Sequence, residues 1–158
     1  MDAAQIGAAL DDVFDHALVF HGFTDYMRDY DVFVHATSDP ATGIPPEYLR
    51  YRFKHCVHAA VTSSVAPQTW RESLDDAFVD GWEERDDLDG YVWGVRWQVL
   101  YPGAKVVADS EAAGTWSQRL GMPMHEVVIE ANGHHITLVF ADLVVDHVEP
   151  GHVPFRFV

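Results

Sequence analysis

Cysteine is nearly absent: Cys56 is the only one in 158 residues. A lone thiol excludes an internal disulfide, and no CxxC pair exists for redox work or zinc binding. Basic residues are also scarce. Ten Lys and Arg stand against 25 Asp and Glu, a formal net charge of −15 at pH 7. Such a surface repels nucleic acid and anionic membranes and attracts basic partners. No apolar run approaches the roughly 20 residues that a membrane-spanning helix needs. The opening stretch MDAAQIGAALDDVFDH carries acids where a signal peptide carries Lys or Arg. With nothing that requires an oxidising compartment, the chain reads as cytoplasmic. Phosphate-binding glycine loops are missing, since neither GxGxxG nor a P-loop occurs. A GxSxG elbow and an HExxH pair are missing too, Ile129 standing where the second His of HExxH belongs. No cofactor and no metal centre is expected.

What is present is enough apolar material for a core. Hydrophobic residues make up 48% and aromatics 13%, which suits one folded domain over residues 1–158. Ile6, Leu10, Val13 and Phe14 recur at helical spacing and predict a helix over 3–15. ALVFHGF and YDVFVHA read as strands, and the polar cluster Thr24–Asp29 between them reads as their connector. TSDPATGIPPE is a loop. LRYRFKHCVHAAV alternates over its whole length, Leu49, Tyr51, Phe53, His55, Val57, Ala59 and Val61 on one face and Arg50, Arg52, Lys54, Cys56 and His58 on the other. That pattern predicts one half-buried antiparallel strand, with His55 a core histidine and a basic outer face that can pair with acids elsewhere. Pro67 opens a helix whose stripe is Trp70, Leu74 and Phe78. YVWGVRWQVLYPG is a further strand, AKVVAD a short one, and SEAAGTWSQRLG a helix stopped by Gly121.

The last hairpin is the best specified. Asn132-Gly133 at the centre of MHEVVIEANGHHITLVF is a two-residue turn signal. It pairs Ala131 with His134, Ile129 with Ile136, Val127 with Leu138 and His125 with Phe140, and it sets Glu130 across from His135. ADLVVDHV extends or follows it, and residues 150–158 read as an edge segment or a loose tail. The sum is an α+β domain with a largely antiparallel sheet and two or three helices.

Two stretches stand out for function. Between Glu72 and Asp89 there are nine acids and one base, Arg85. A charge run is commonly a solvated face, yet this is the strongest contact surface the chain offers to a basic protein. Asp75, Asp76, Asp80, Glu83, Glu84, Asp86, Asp87 and Asp89 are its candidate residues. The second stretch is FHGFTDYMRDYD, residues 20–31. His21, Asp25, Tyr26, Arg28 and Asp29 are residue types that serve general acid–base work or anion binding, and connectors at strand ends often carry sites. The plainer reading is a hairpin corner with a local ion pair. Cys56 lacks a histidine placed to activate it, since along an alternating strand His55 points away and His58 points the same way but two residues along. The ten histidines are scattered rather than gathered into three or four ligands.

FHGFTDYMRDYDVFV, DPATGIPPEYLRYRFKHCV and PQTWRESLDDAF together resemble the YxiG-like family of small bacterial proteins. HGFTDYMRDY, residues 21–30, is the specific part of the resemblance. The resemblance implies a bacterial cytosolic protein and gene neighbourhoods shared with toxins and immunity proteins. It implies no catalytic residues. The expectation is a non-catalytic binding module of immunity type that masks a basic toxin. The alternative is a small-molecule or enzymatic site at the 20–31 loop, and a third role is dimer formation through the Trp93–Trp97 face.

Overall fold

The computed structural model describes residues 1–37, 40–64, 66–67 and 98–154. The predicted helix after Pro67, the acids between Glu72 and Asp89 and the Trp93–Trp97 strand face lie outside the described residues.

Helix α1 spans Ala3–Asp11. Its start is fixed by a capping box, Asp2 accepting from the Gln5 amide at 2.8 Å while the Gln5 side chain accepts from the Asp2 amide at 2.9 Å. It buries Ile6 and Leu10. The helix is shorter than its apolar spacing predicts. Asp12 caps it, Val13 is buried beyond its end, and Phe14 is exposed.

Strands β1 (Ala17–Thr24), β2 (Asp29–Ala36), β3 (Glu47–Lys54), β5 (Gln98–Val99) and β9 (Asp142–His147) form one sheet in the order β5-β1-β2-β3-β9. Strands β4 (His58–Ser63), β6 (Gly103–Val106), β7 (His125–Glu130) and β8 (His134–Phe140) form a second, in the order β4-β8-β7-β6. A short 3-10 turn occupies Pro40–Thr42, and helix α2 spans Glu111–Leu120. Ser110 caps α2 and Gly121 ends it at φ 66°, as its sequence predicts. The class is α+β, with two helices and two antiparallel sheets among the described residues.

The long alternating run after Leu49 is not one strand. It breaks between Lys54 and His58, and the two halves join different sheets. His55 turns at φ 52° and is exposed rather than in the core. Cys56 is buried instead of lying on a polar face. The reason is a corner built twice. β8 passes to β9 at the same place, where Val57 N–H donates to Val139 and Ala141 N–H donates to Lys54. Phe53 and Phe140 meet edge to face there, with ring centroids 4.8 Å apart. The β7–β8 register matches the turn-derived one, with His125 opposite Phe140, Val127 opposite Leu138, Ile129 opposite Ile136 and Glu130 opposite His135.

The core lies between the sheets. Val34, Tyr51, Phe53 and Leu143 face Ile129, Ile136, Leu138 and Phe140 in one buried cluster, and α1 adds Ile6 and Leu10. Among the described residues no helix is long and apolar enough to cross a membrane. Of the stretch expected as an edge or loose tail, residues 150–154 are described, and His152 stacks on Phe33 at 5.5 Å.

Candidate functional site

The predicted 20–31 site divides into two places. β1 and β2 pair from Ala17–His35 to Thr24–Asp29, so most of the stretch is strand and only Asp25–Arg28 is turn. A bulge between Leu18 and Phe20 shifts the alternation. Leu18 faces the core opposite Val34. Beyond the bulge His21 and Phe23 take that face, opposite Val32 and Tyr30.

The turn is an unusual one. Asp25, Tyr26 and Met27 have φ of 49°, 61° and 61°. Three consecutive non-glycine residues in the left-handed region cost about 1–2 kcal/mol each. Arg28 N–H closes the turn on the Thr24 and Asp25 carbonyls at 3.2 and 3.3 Å. Cys56 N–H donates to the Arg28 carbonyl at 2.8 Å, and His55 N–H donates to Asp29 Oδ1 at 2.9 Å. The tip is therefore stapled to the corner after β3. Arg28 pairs with Asp25 at 3.2 Å and reaches Asp29 at 4.0 Å. Tyr26 is 96% exposed and Met27 71% exposed. The tip projects an aromatic ring, a thioether and a guanidinium into solvent. Those side chains are enriched where proteins meet.

Behind the tip lie two buried carboxylates. Asp29 is fully buried, and its second oxygen, Oδ2, has no hydrogen-bond partner among the described residues. Asp31 is buried and receives Arg52 through Nε at 3.1 Å and Nη2 at 3.4 Å. The hydrogen bond that Arg52 donates to Asp31 raises the Arg52 pKa above its ordinary value. Arg52 sits directly opposite Asp31 in the β2–β3 register. The basic face expected for the Leu49 strand thus finds acids on its neighbour, and Arg50 likewise binds Asp146 at 2.7 Å.

His21 belongs to neither group. Its Nδ1 lies 2.7 Å from the Tyr30 hydroxyl and its Nε2 lies 3.3 Å from Nδ1 of His134. Gln98 Nε2 approaches the same His134 nitrogen at 3.3 Å. This is a polar bridge between the two sheets. Burial, then the charge of His134, lowers the His21 pKa; burial lowers that of His134. Burial pushes the Tyr30 hydroxyl up to about 12. Both histidine shifts favour the neutral imidazoles. Burial also pushes the Cys56 thiol up to about 11, and its Sγ donates to the His58 carbonyl at 3.1 Å. A thiol raised in this way is the opposite of an activated nucleophile. Among the described residues no group of three His, Cys, Asp or Glu side chains is placed to hold a metal ion.

The description "YxiG-like protein" belongs to a family model that matches residues 2–158. The chain belongs to the YxiG-like family. Among curated proteins none matches it.

In this YxiG-like protein Asp25, Tyr26 and Arg28 sit at the hairpin tip, Asp29 is buried behind it within 4.0 Å of Arg28, and His21 is turned away from them into the space between the sheets. Sequence reasoning missed Tyr30 and His134 as partners of His21, and Gln98 as a partner of His134. The hairpin signal placed His134 beside the turn, but nothing in the pattern of either strand says that β1 stacks over β8.

Proposed function

We propose that this YxiG-like protein is a non-catalytic protein-binding module of immunity type, a single acidic domain of the cytoplasm that masks a basic protein. The observation that carries the reading is the β1–β2 tip. Strain concentrated at one solvent-exposed turn is a feature of recognition sites. Here it holds Tyr26 and Met27 outward on a turn tied down by Cys56 and His55. A net charge of −15 favours a basic partner and speeds its approach. The acids Asp75, Asp76, Asp80, Glu83, Glu84, Asp86, Asp87 and Asp89 would supply the electrostatic share of the contact, and the tip would supply the apolar anchor.

The reading of loop 20–31 as a small-molecule or enzymatic site has less support. A general base must share a pocket with the group that it serves, and His21 is engaged with Tyr30 and His134 rather than with Asp25 or Arg28. The test is capture from the native host's lysate at low salt on immobilised wild-type protein, followed by a salt gradient. A tip variant with Tyr26→Ser and Met27→Ser, and an acid variant with Asp75, Asp76, Asp80 and Glu83 each changed to Lys, run in parallel. The expected result is one basic protein released sharply by salt and lost by both variants. Equal retention by wild type and variants, or no basic protein at all, overturns the proposal.

A further inference from the structure

A cleft of about 560 Å³ opens where α1 ends over the β3–β9 edge. Tyr51 and Val145 are register partners on the core face of that edge, and Leu49 pairs with His147 beside them. Ala9 and Ile44 complete apolar walls. The site lies at the Ala36 end of β2, and the hairpin tip lies at its Asp29 end. It is separate from the hairpin tip.

The cleft is lined by carboxylates and by the imidazoles of His16 and His147. Asp12 and Glu47 both line it. Asp12 caps the C-terminus of α1, and the last turn of that helix holds no basic residue. The C-terminal end of a helix is the negative end of its dipole, so a carboxylate there is poorly placed and a cation is favoured. Asp12 has no ion pair among the described residues, whereas Glu47 reaches His147 at the rim at 3.5 Å. The N-terminal ammonium of Met1 also lines the cleft, but Asp142 holds it.

Tyr51 adds an independent observation. It is only 2% exposed, it lines the cleft, and its hydroxyl has no hydrogen-bond partner among the described residues. The hydroxyl oxygen is not itself buried; it opens on the cleft, where a ligand donor can reach it. Burial, and then the charge of Asp12, pushes its pKa up to about 12. It therefore remains a neutral phenol whose oxygen can accept a hydrogen bond.

We propose that this cleft binds a small primary alkylammonium, its head held by the Asp12 carboxylate and the Tyr51 hydroxyl and its alkyl body lying along Ala9, Leu49 and Val145. An ammonium carries three donors and no acceptor, which suits a carboxylate, a phenol oxygen and a helix end rich in carbonyls. Apolar walls with a few convergent polar groups are the usual form of a small-molecule site.

The experiment is a titration followed by amide NMR, with n-butylammonium chloride as the probe. n-Butanol and sodium chloride at the same ionic strength are the controls. Saturable shifts at Leu49, Tyr51 and Val145 are expected for the amine alone. Asp12→Asn should weaken binding about tenfold, the loss of one charge-assisted contact. Asp12 is exposed, so that variant keeps the fold. Tyr51→Phe removes only the hydroxyl and should weaken binding severalfold. The proposal is overturned if the shifts do not saturate, if sodium chloride reproduces them, if butanol binds as tightly, or if Asp12→Asn binds as the wild type does. None of these outcomes depends on a protein partner, so failure here leaves the masking proposal standing, and the reverse also holds.

Discussion

Asp31 and Arg52 form an ion pair with unequal halves. The Asp31 side chain is 2% exposed and that of Arg52 is 25% exposed. Removing the arginine leaves a carboxylate buried without its partner, and that penalty exceeds the net value of the pair. Arg52→Ala should therefore lower the unfolding free energy by about 3 kcal/mol, read as a lower urea midpoint at constant slope. Arg52→Met with Asp31→Leu should recover most of the loss, because no buried charge then remains. The histidine bridge gives a second prediction at the same scale. The folded protein holds the pKa values of His21 and His134 below the ordinary 6.5. Between those lowered values and 6.5 the unfolded chain binds more protons than the native one, so stability rises with pH across that window. The contribution is complete above about 6.5 and is lost as pH falls through the folded values. The melting temperature should drop as pH falls below about 6.5, and His134→Gln should make that drop shallower. An equally steep drop in the variant would assign the acid sensitivity to other groups.

At the scale of elements, the two hairpins differ in how far the sequence discloses them. Asn132-Gly133 is a turn dipeptide flanked by alternating residues, and it specifies the β7–β8 register down to Glu130 opposite His135, whose side chains approach to 3.7 Å. Thr24–Asp29 was legible as a connector, but no glycine there announces a left-handed turn. The structure makes three ordinary residues adopt one. The alternation after Leu49 was equally regular on both sides of its break, although β3 buries Tyr51 and Phe53 while β4 sets only Ala59 against the core and leaves Val61 exposed. Period alone cannot say that the faces belong to different sheets. What decides the break is tertiary, namely the bonds from His55 and Cys56 to the β1–β2 tip. The same bonds explain why a strained turn persists. Met27→Gly should relax it, since glycine reaches φ near 61° without penalty. Stability should rise by about 1 kcal/mol, seen as a higher melting temperature. Capture of the basic partner should weaken at the same time, because the Met27 side chain leaves the tip. A gain in stability with undiminished capture would show that Met27 is no anchor.

At the scale of the whole molecule, charge and shape ask different things of a partner. The tip is a small apolar feature, and in the proposed complex contact there would set how long the complex lasts. The net charge of −15 acts over distance and sets how often encounters occur. The two contributions separate in a salt series. The Debye length is about 30 Å at 0.01 M ionic strength and about 3 Å at 1 M, so added salt removes long-range attraction and leaves close apolar contacts in place. Once a basic partner is in hand, its association rate should fall about 10- to 100-fold between 0.01 and 0.5 M salt. Its dissociation rate should change far less. Tyr26→Ser should show the reverse pattern, faster dissociation with an almost unchanged association rate. Stopped-flow fluorescence reads both rates. An association rate indifferent to salt would remove electrostatic steering from the account and leave the tip as the whole of the recognition surface.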